Sequence, residues 1–235
     1  ISDILDFSKI EAGKLDLELV KTDIVQLAEN ASDIIKLHAS KKGLELLLNI
    51  QPNTPRFAVV DPIRLKQILV NLLSNAVKFT HTGEIELKLW FDKIDENLGN
   101  FNFSVRDTGV GVKDSDKTKL FKAFSQADTS TTRRYGGTGL GLIISNSLAQ
   151  KMNSQIQFKS EYEKGSTFYF SLNTQFENGE PVNIKNTNLP KTVMVIDDNA
   201  NNRMILEHTF IYWGIQYYGF ENGLDAIAFL EKSSK

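Results

Sequence analysis

The sequence predicts an α/β protein built in two unequal units. Three observations point to it. Strand-like and helix-like segments alternate irregularly after Gly13. Residues 176–190, FENGEPVNIKNTNLP, hold few large apolar side chains and many Asn, Gly and Pro, the composition of a linker. Beyond them the pattern restarts as strand, helix, strand, helix, a different order from the first unit.

Composition narrows the function classes. The 235 residues allow one or two domains, and 41 % hydrophobic with 24 % charged residues is ordinary globular material. Lys plus Arg is 27 against 29 for Asp plus Glu, a net charge of −2. That lacks the basic footprint of a nucleic-acid binder or a polybasic membrane-surface protein. With no cysteine, thiol catalysis, disulfides and cysteine metal sites are excluded. No apolar run approaches the length of about 18 residues that a membrane span needs.

The opening, ISDILDFSKIEAGKLDLE, puts Ile1, Ile4, Leu5, Ser8 and Ala12 on one helical face, with Gly13 as a stop. A helix this short rarely stands alone, so it reads as the tail of a longer one. Asp23 followed by Gln26 is a capping-box signature, and the apolar stripe Ile24, Leu27, Ala31, Ile34, Ile35 continues the helix to Gly43. LELLLNI (44–50) and FAVV (57–60) read as strands. Asp61-Pro62 supplies an N-cap and first helical residue for a helix reaching Phe79. EIELKLWF (84–91) and NFNFSVR (100–106) follow as strands joined by a hairpin. A helix over 141–153 and strands at 156–160 and 166–172 complete the first unit. The second unit has a strand at 192–197, a helix at 202–214, a strand at 215–220 and a helix at 224–232.

Three segments hold the chemistry. On the helix from Pro62, the residues Arg64, Gln67, Asn71, Asn75 and Lys78 form one narrow polar stripe on an otherwise apolar cylinder. Such a stripe is commonly a solvent edge. Asn is a poor helix former, however, and two of them at i and i+4 suggest another role. Amide oxygens are hard ligands suited to Mg²⁺, and a nearby Lys suits phosphate. DTGVGV (107–112) follows a strand and places a carboxylate, Asp107, where it can accept a hydrogen bond from an amino group such as adenine's; a plain β-turn accounts for it equally well. GGTGLGL (136–142) opens a helix, whose N-terminal amides make an anion site. Between the two clusters, residues 113–138 offer Leu120, Phe121 and Phe124 as anchors and then almost nothing to bury. That stretch reads as a lid able to fold Arg133, Arg134 and Tyr135 onto phosphates, or as an ordinary surface loop.

These segments match a family. NLLSNAVKFT (71–80) resembles the N box of sensor histidine kinases, and DTGVGV their first glycine box. FKAFSQAD (121–128) resembles their F box, GGTGLGL their second glycine box and GSTF (165–168) their last. Five motifs stand in the family's order over residues 61–170. SDILDFSKIEAGKLDLE (2–18) looks like the end of the dimerisation and histidine-phosphotransfer helices, and VMVIDDNANNR (193–203) like the start of a receiver domain. The arrangement is similar to that of a hybrid histidine kinase.

The resemblance implies a two-layer α/β sandwich of the GHKL ATPase type, with a mixed sheet covered by helices on one face. A partial flavodoxin-like receiver unit would follow. The expected organisation is the end of a phosphotransfer helix at 1–14, an ATP-binding catalytic domain at 15–175, a linker at 176–190 and part of a receiver at 191–235. Asp107 is implied to bind the adenine amino group, Asn75 to ligate Mg²⁺ with Asn71 beside it, and Lys78 to contact phosphate. Gly109 and Gly111 would shape the adenine pocket. Gly137, Thr138, Gly139, Leu140 and Gly141 would form the phosphate loop. Arg133 and Tyr135 would be lid contacts, Thr167 would line the base pocket, and Asp197 and Asp198 would be a receiver's acidic Mg²⁺ pair. ATP and Mg²⁺ are the implied cofactors. The implied partners are the phosphotransfer helices of a homodimeric parent and a downstream receiver or phosphotransfer protein, with no nucleic acid. The implied location is the cytoplasmic side, where ATP is.

Related ATPases of the gyrase and chaperone type usually have Glu at the place of Asn71. A carboxylate can activate water and an amide cannot, so Asn71 favours transfer to a side chain over hydrolysis. None of His38, His81 and His208 sits in a box resembling His-Glu-x-Arg-x-Pro, so the acceptor histidine is expected upstream of Ile1. The base expected beside it is absent too. His38 falls on the apolar side of its helix and is expected at the core boundary. Two other readings stay open: a nucleotide-independent pseudo-kinase scaffold, and an ATPase that hydrolyses its nucleotide.

Overall fold

The computed structural model describes residues 8, 12, 14–118, 120–121, 140–179 and 190–233. The chain divides into two compact units, residues 1–50 with 54–179 and residues 51–53 with 180–235. The opening helix lies outside the described residues, apart from Ser8 and Ala12, which share a helical hydrogen bond of 3.1 Å.

In the first unit β1 (Val20–Asp23) leads directly into α1 (Ile24–Lys41). Asp23 is the N-cap, its carboxylate accepting from the Gln26 N–H at 3.0 Å, as the capping signature predicts. β2 (Glu45–Ile50) and β3 (Phe57–Val60) follow, then α2 (Pro62–Phe79). Asp61 caps α2 through the Ile63 and Arg64 N–H groups, both at 3.0 Å, and Pro62 starts the helix where its missing N–H costs nothing. β4 (Glu84–Lys93) and β5 (Leu98–Asp107) form the expected hairpin, whose turn is closed by Asp95 accepting from the Asn97 and Leu98 N–H groups. A single turn, α3 (Asp114–Lys117), comes next, then α4 (Gly141–Lys151), β6 (Gln157–Glu161) and β7 (Gly165–Glu177).

The sheet runs β1-β3-β7-β5-β4-β2, with β6 also paired to β7. β2 and β4 are parallel and the other pairs antiparallel, so the sheet is mixed. Its two faces differ. Ile85, Leu87 and Leu89 of β4, Phe101, Phe103 and Val105 of β5, and Phe168, Phe170 and Leu172 of β7 alternate onto one face. There they join buried residues of α1, α2 and α4 in one core. Phe103 and Phe170 stack across the strands at 5.0 Å. The opposite face is a polar ladder. Asn49 donates to Glu86 at 2.8 Å, Arg106 pairs with Glu84 and Glu86, and Asn102 donates to Asp92 at 2.8 Å. One apolar face under helices and one polar face make the two-layer sandwich that the resemblance implies.

Four expectations change. β1 is an addition to the expected elements, because its four residues, VKTD, show no apolar alternation and become a strand by pairing with β3, where Lys21 Nζ also lies 4.6 Å from the Phe57 ring centre. Phe176 and Glu177, assigned to the linker, continue β7 opposite Ala58 and Phe57; the Phe176 ring packs on Phe91 at 4.7 Å, which outweighs the turn-like composition around it. His38 is exposed instead of lying at the core boundary, as are Ile34 and Ile63, since each faces away from the stripe that Ala31, Ile35 and Ala39, or Leu65 and Leu69, bury. The helix expected to reach Asn153 stops at Lys151, where Asn153 turns the chain with φ of 56°.

The second unit pairs β8 (Thr192–Ile196) with β9 (Gln216–Phe220) in parallel, with α5 (Ala200–Tyr212) as the crossover and α6 (Gly223–Ser233) after it. Asn199 caps α5 by accepting from the Asn202 N–H at 3.0 Å. Gly214, at φ of 71°, ends the turn that follows.

Candidate functional site

α2 is the spine of the site. Leu65, Ile68, Leu69, Leu72 and Leu73 bury its apolar faces almost completely, which leaves the stripe Arg64, Gln67, Asn71, Asn75 and Lys78 half-buried along one side. Two other elements meet this stripe at different heights.

At the C-terminal end of α2 stands the loop after β5. Asp107, 6 % exposed, ends that strand, and its Oδ1 accepts the Gly109 N–H at 2.8 Å. The Val110 N–H donates to the Phe79 carbonyl at 3.2 Å, tying the loop to the last turn of α2. Gly111 sits at φ of 63° with the Glu161 carbonyl where a Cβ would stand (2.1 Å), so glycine alone fits the turn. Burial pushes the Asp107 carboxyl above the usual carboxylate range, against the smaller opposing pull of the Gly109 and Ser166 N–H groups and Arg106. A desolvated carboxylate with fixed orientation is suited to reading one donor on a ligand. Lys78 lies in the same region, its Nζ 5.0 Å from the Phe79 ring centre, and burial lowers its pKa.

Further up α2 stands the start of α4. Asn71 donates through Nδ2 to the buried Ser145 hydroxyl at 2.8 Å, and a Cβ on Gly141 would lie 2.3 Å from Asn71 Oδ1. Leu140 is buried, so Leu140 and Gly141, the described residues of the expected phosphate loop, are anchored against α2. Asn71 and Phe79 are eight residues apart, about 12 Å of helix. The carboxylate and the amide-rich helix start therefore stand at two well-separated heights along one polar stripe, with Asn75 between them. Arg133, Arg134, Tyr135, Gly137, Thr138, Gly139 and Phe124 lie outside the described residues.

Thr167 is a correction. Asp107 pairs across the sheet with Ser166, whereas Thr167 pairs with Arg106 and Lys159. Side chains alternate along a strand, so Thr167 stands on the polar ladder face and not beside Asp107. The residue beside the carboxylate is Ser166, 8 % exposed, whose hydroxyl lies 3.0 Å from Ser160 Oγ; that oxygen in turn accepts the Val112 N–H at 2.8 Å. The signal was present in the sequence: Ser166 shares the parity of Phe168, Phe170 and Leu172.

In the second unit the two oxygens of Asp197 accept from the Asn199 N–H at 2.8 Å and the Asn202 amide at 2.6 Å. Asp198 is exposed. Among the described residues no group of three or more His, Asp or Glu side chains stands together, and no helix is long and apolar enough to cross a membrane.

Comparison with known proteins agrees with the fold. Residues 60–175 match the family model described as histidine kinase-, DNA gyrase B-, and HSP90-like ATPase. The sensor histidine kinase GacS of Pseudomonas protegens is 39 % identical over 228 residues, 97 % of this chain and 25 % of that protein. The signal transduction histidine-protein kinase BarA of Escherichia coli K12 is 42 % identical over 173 residues, 74 % of this chain and 19 % of that protein. The chain thus spans about a fifth to a quarter of these curated relatives. The crystal structure of full-length ShkA in complex with AMPPNP superposes with a TM-score of 0.80 at 28 % identity, covering 97 % of this chain and 46 % of that one. The catalytic domain of the histidine kinase ThkA, at 21 % identity and a TM-score of 0.53 over 66 % of this chain and 95 % of that one, shares the fold. The sheet order, the five boxes and these relatives lead to one conclusion: residues 60–175 are an ATPase domain of the histidine kinase-, DNA gyrase B-, and HSP90-like family, of the kind that sensor histidine kinases carry as their catalytic domain.

Proposed function

We propose that this chain binds Mg-ATP along α2 and donates the γ-phosphoryl group to a histidine outside the sequence given. The observation that supports this best is the ordering along one helix. Asp107, at the C-terminal end of α2, accepts a hydrogen bond from the adenine amino group. The start of α4, held at Asn71, meets the phosphates with its N–H groups. Asn75 lies between the two, and its amide oxygen, with that of Asn71 beside it, suits a hard divalent ion. Mg²⁺ bound there with the triphosphate would neutralise phosphate charge. Lys78, Gly109 and Gly111 would complete the base and phosphate walls, Gly137, Thr138 and Gly139 would contact phosphates, and Arg133 and Tyr135 would be lid contacts.

Transfer breaks the bond between the γ-phosphorus and the oxygen bridging to ADP and forms one to an imidazole nitrogen. The chain's own contribution is positioning and charge neutralisation. Asn71 offers no carboxylate to activate water, and its amide nitrogen already donates to Ser145. The acceptor would be supplied by phosphotransfer helices of a homodimeric parent on the cytoplasmic side. The second unit would be the start of a receiver. There Asp197 and Asp198 would be the acidic Mg²⁺ pair, with the Asp197 carboxylate oriented by the Asn199 N–H and the Asn202 amide.

Incubation with γ-labelled ATP tests the direction of transfer. No acid-labile label is expected on His38, His81 or His208, and phosphate release without an acceptor is expected to be slow. Acid-labile label on any of the three would overturn the external acceptor. Rapid steady release would make the chain a hydrolase.

A further inference from the structure

α2 ends close to the loop that holds Asp107, and the carbonyls of that last turn need partners. Each has one, and they come from three places. The Ala76 carbonyl accepts from Thr80, through its N–H at 3.0 Å and its hydroxyl at 2.7 Å. The Phe79 carbonyl accepts from the Val110 N–H of the Asp107 loop at 3.2 Å. The Val77, Lys78 and Thr80 carbonyls all accept from one ammonium, that of Lys42, at 2.6, 3.2 and 3.2 Å. Lys42 is itself fixed as the C-cap of α1, its N–H bonded to the Ala39 carbonyl at 3.0 Å, and Gly43 turns the chain away behind it at φ of 66°.

We infer that Lys42 is a positioning residue for the nucleotide site, an inference that rests on the reading of Asp107 and Lys78 as nucleotide contacts. Its ammonium stands at the negative end of the α2 dipole and holds three carbonyls in one geometry. The same turn presents Lys78 to the site and offers the Phe79 carbonyl to Val110. The path from Lys42 to the carboxylate is therefore short and continuous: ammonium, last turn of α2, Val110, Gly109 N–H, Asp107 Oδ1. Without the ammonium the Val77 and Lys78 carbonyls lose their shared donor. The turn is then free to fray, and the loop bonded to Phe79 moves with it. Lys42 touches no ligand in this scheme and acts only through α2.

The test compares Lys42→Met, which keeps most of the aliphatic stem, with Lys42→Arg, which restores a cationic donor. Ile35→Val serves as a control that lowers stability from the buried face of α1 without touching the turn. Two readouts are taken on the full chain: the dissociation constant for AMPPNP with Mg²⁺, and amide exchange at Thr80, Gly109 and Val110 without nucleotide. Lys42→Met is expected to weaken AMPPNP by about fivefold or more and to speed exchange at those amides. Lys42→Arg is expected to recover most of both, and Ile35→Val to change neither. Wild-type binding with an unchanged Lys42→Met constant and unchanged exchange overturns the role of Lys42 alone. A loss matched by Ile35→Val shows general stability and overturns it too. A wild-type chain that binds no AMPPNP overturns the nucleotide reading itself, and this inference with it.

Discussion

Asp107→Asn is expected to remove most nucleotide affinity while leaving the nucleotide-free chain at pH 7 no less stable than the wild type. The two effects share one cause. Asp107 is buried, and desolvation raises its pKa above the ordinary carboxylate value. A raised acid stabilises the fold when protonated, so its contribution is complete below the unfolded-state pKa. It is lost as pH rises through the folded-state pKa. At neutral pH the ionised carboxylate therefore weighs against folding. Asn is isosteric, keeps an acceptor for the Gly109 N–H and removes the charge. Its cost falls on the ligand, since a charge-assisted hydrogen bond is worth roughly 1.5–3 kcal/mol, or about 10- to 150-fold in affinity. Calorimetry should show the lost affinity. Thermal unfolding at pH 7 should show a midpoint equal to or above wild type, with the difference narrowing as the pH falls through the carboxylate range. A variant that unfolds well below wild type at pH 7 would mean that Asp107 is a structural residue first.

Gly141→Ala is the second large effect, and it arises from space alone. The backbone there is outside the left-handed region, and alanine is the better helix former. The obstacle is Asn71 Oδ1, 2.3 Å from where the new Cβ would stand. To admit it, Asn71 must turn and give up its bond to the buried Ser145 hydroxyl, or α4 must shift away from α2. Overpacking of this kind costs about 1–3 kcal/mol. A small shift of the α4 start should also weaken nucleotide binding by about tenfold or more. A double-mutant cycle isolates the cause. In an Asn71→Ala background the room exists, so Gly141→Ala should become neutral or stabilising, with a coupling of about 1–3 kcal/mol by chemical denaturation. Simple additivity would show that the two residues do not compete for that space.

Both variants lie in motifs legible from residue order. The α2 stripe was readable because its period is helical and its other faces are apolar. The two caps, Asp23 and Asp61, were readable because side-chain acceptors mark a helix start locally. What escaped depended on partners distant in sequence. β1 exists through β3, whose register the four residues Val20–Asp23 do not announce. Phe176 reads as linker until Phe91 is placed beside it. The resemblance assigns Thr167 to the base pocket, whereas strand parity gives Ser166 to the carboxylate's face. Lys42 looks like any surface lysine at a helix end. Its three carbonyl acceptors lie 35 to 38 residues away.

The central claim is that α2, Asp107 and the start of α4 form one working nucleotide site. Calorimetric titration of the full chain with AMPPNP, with and without Mg²⁺, tests it most directly. The account expects saturable one-to-one binding that Mg²⁺ strengthens and that Asp107→Asn largely removes. A folded chain that gives no heat of binding under either condition would contradict it and make the domain a nucleotide-independent scaffold.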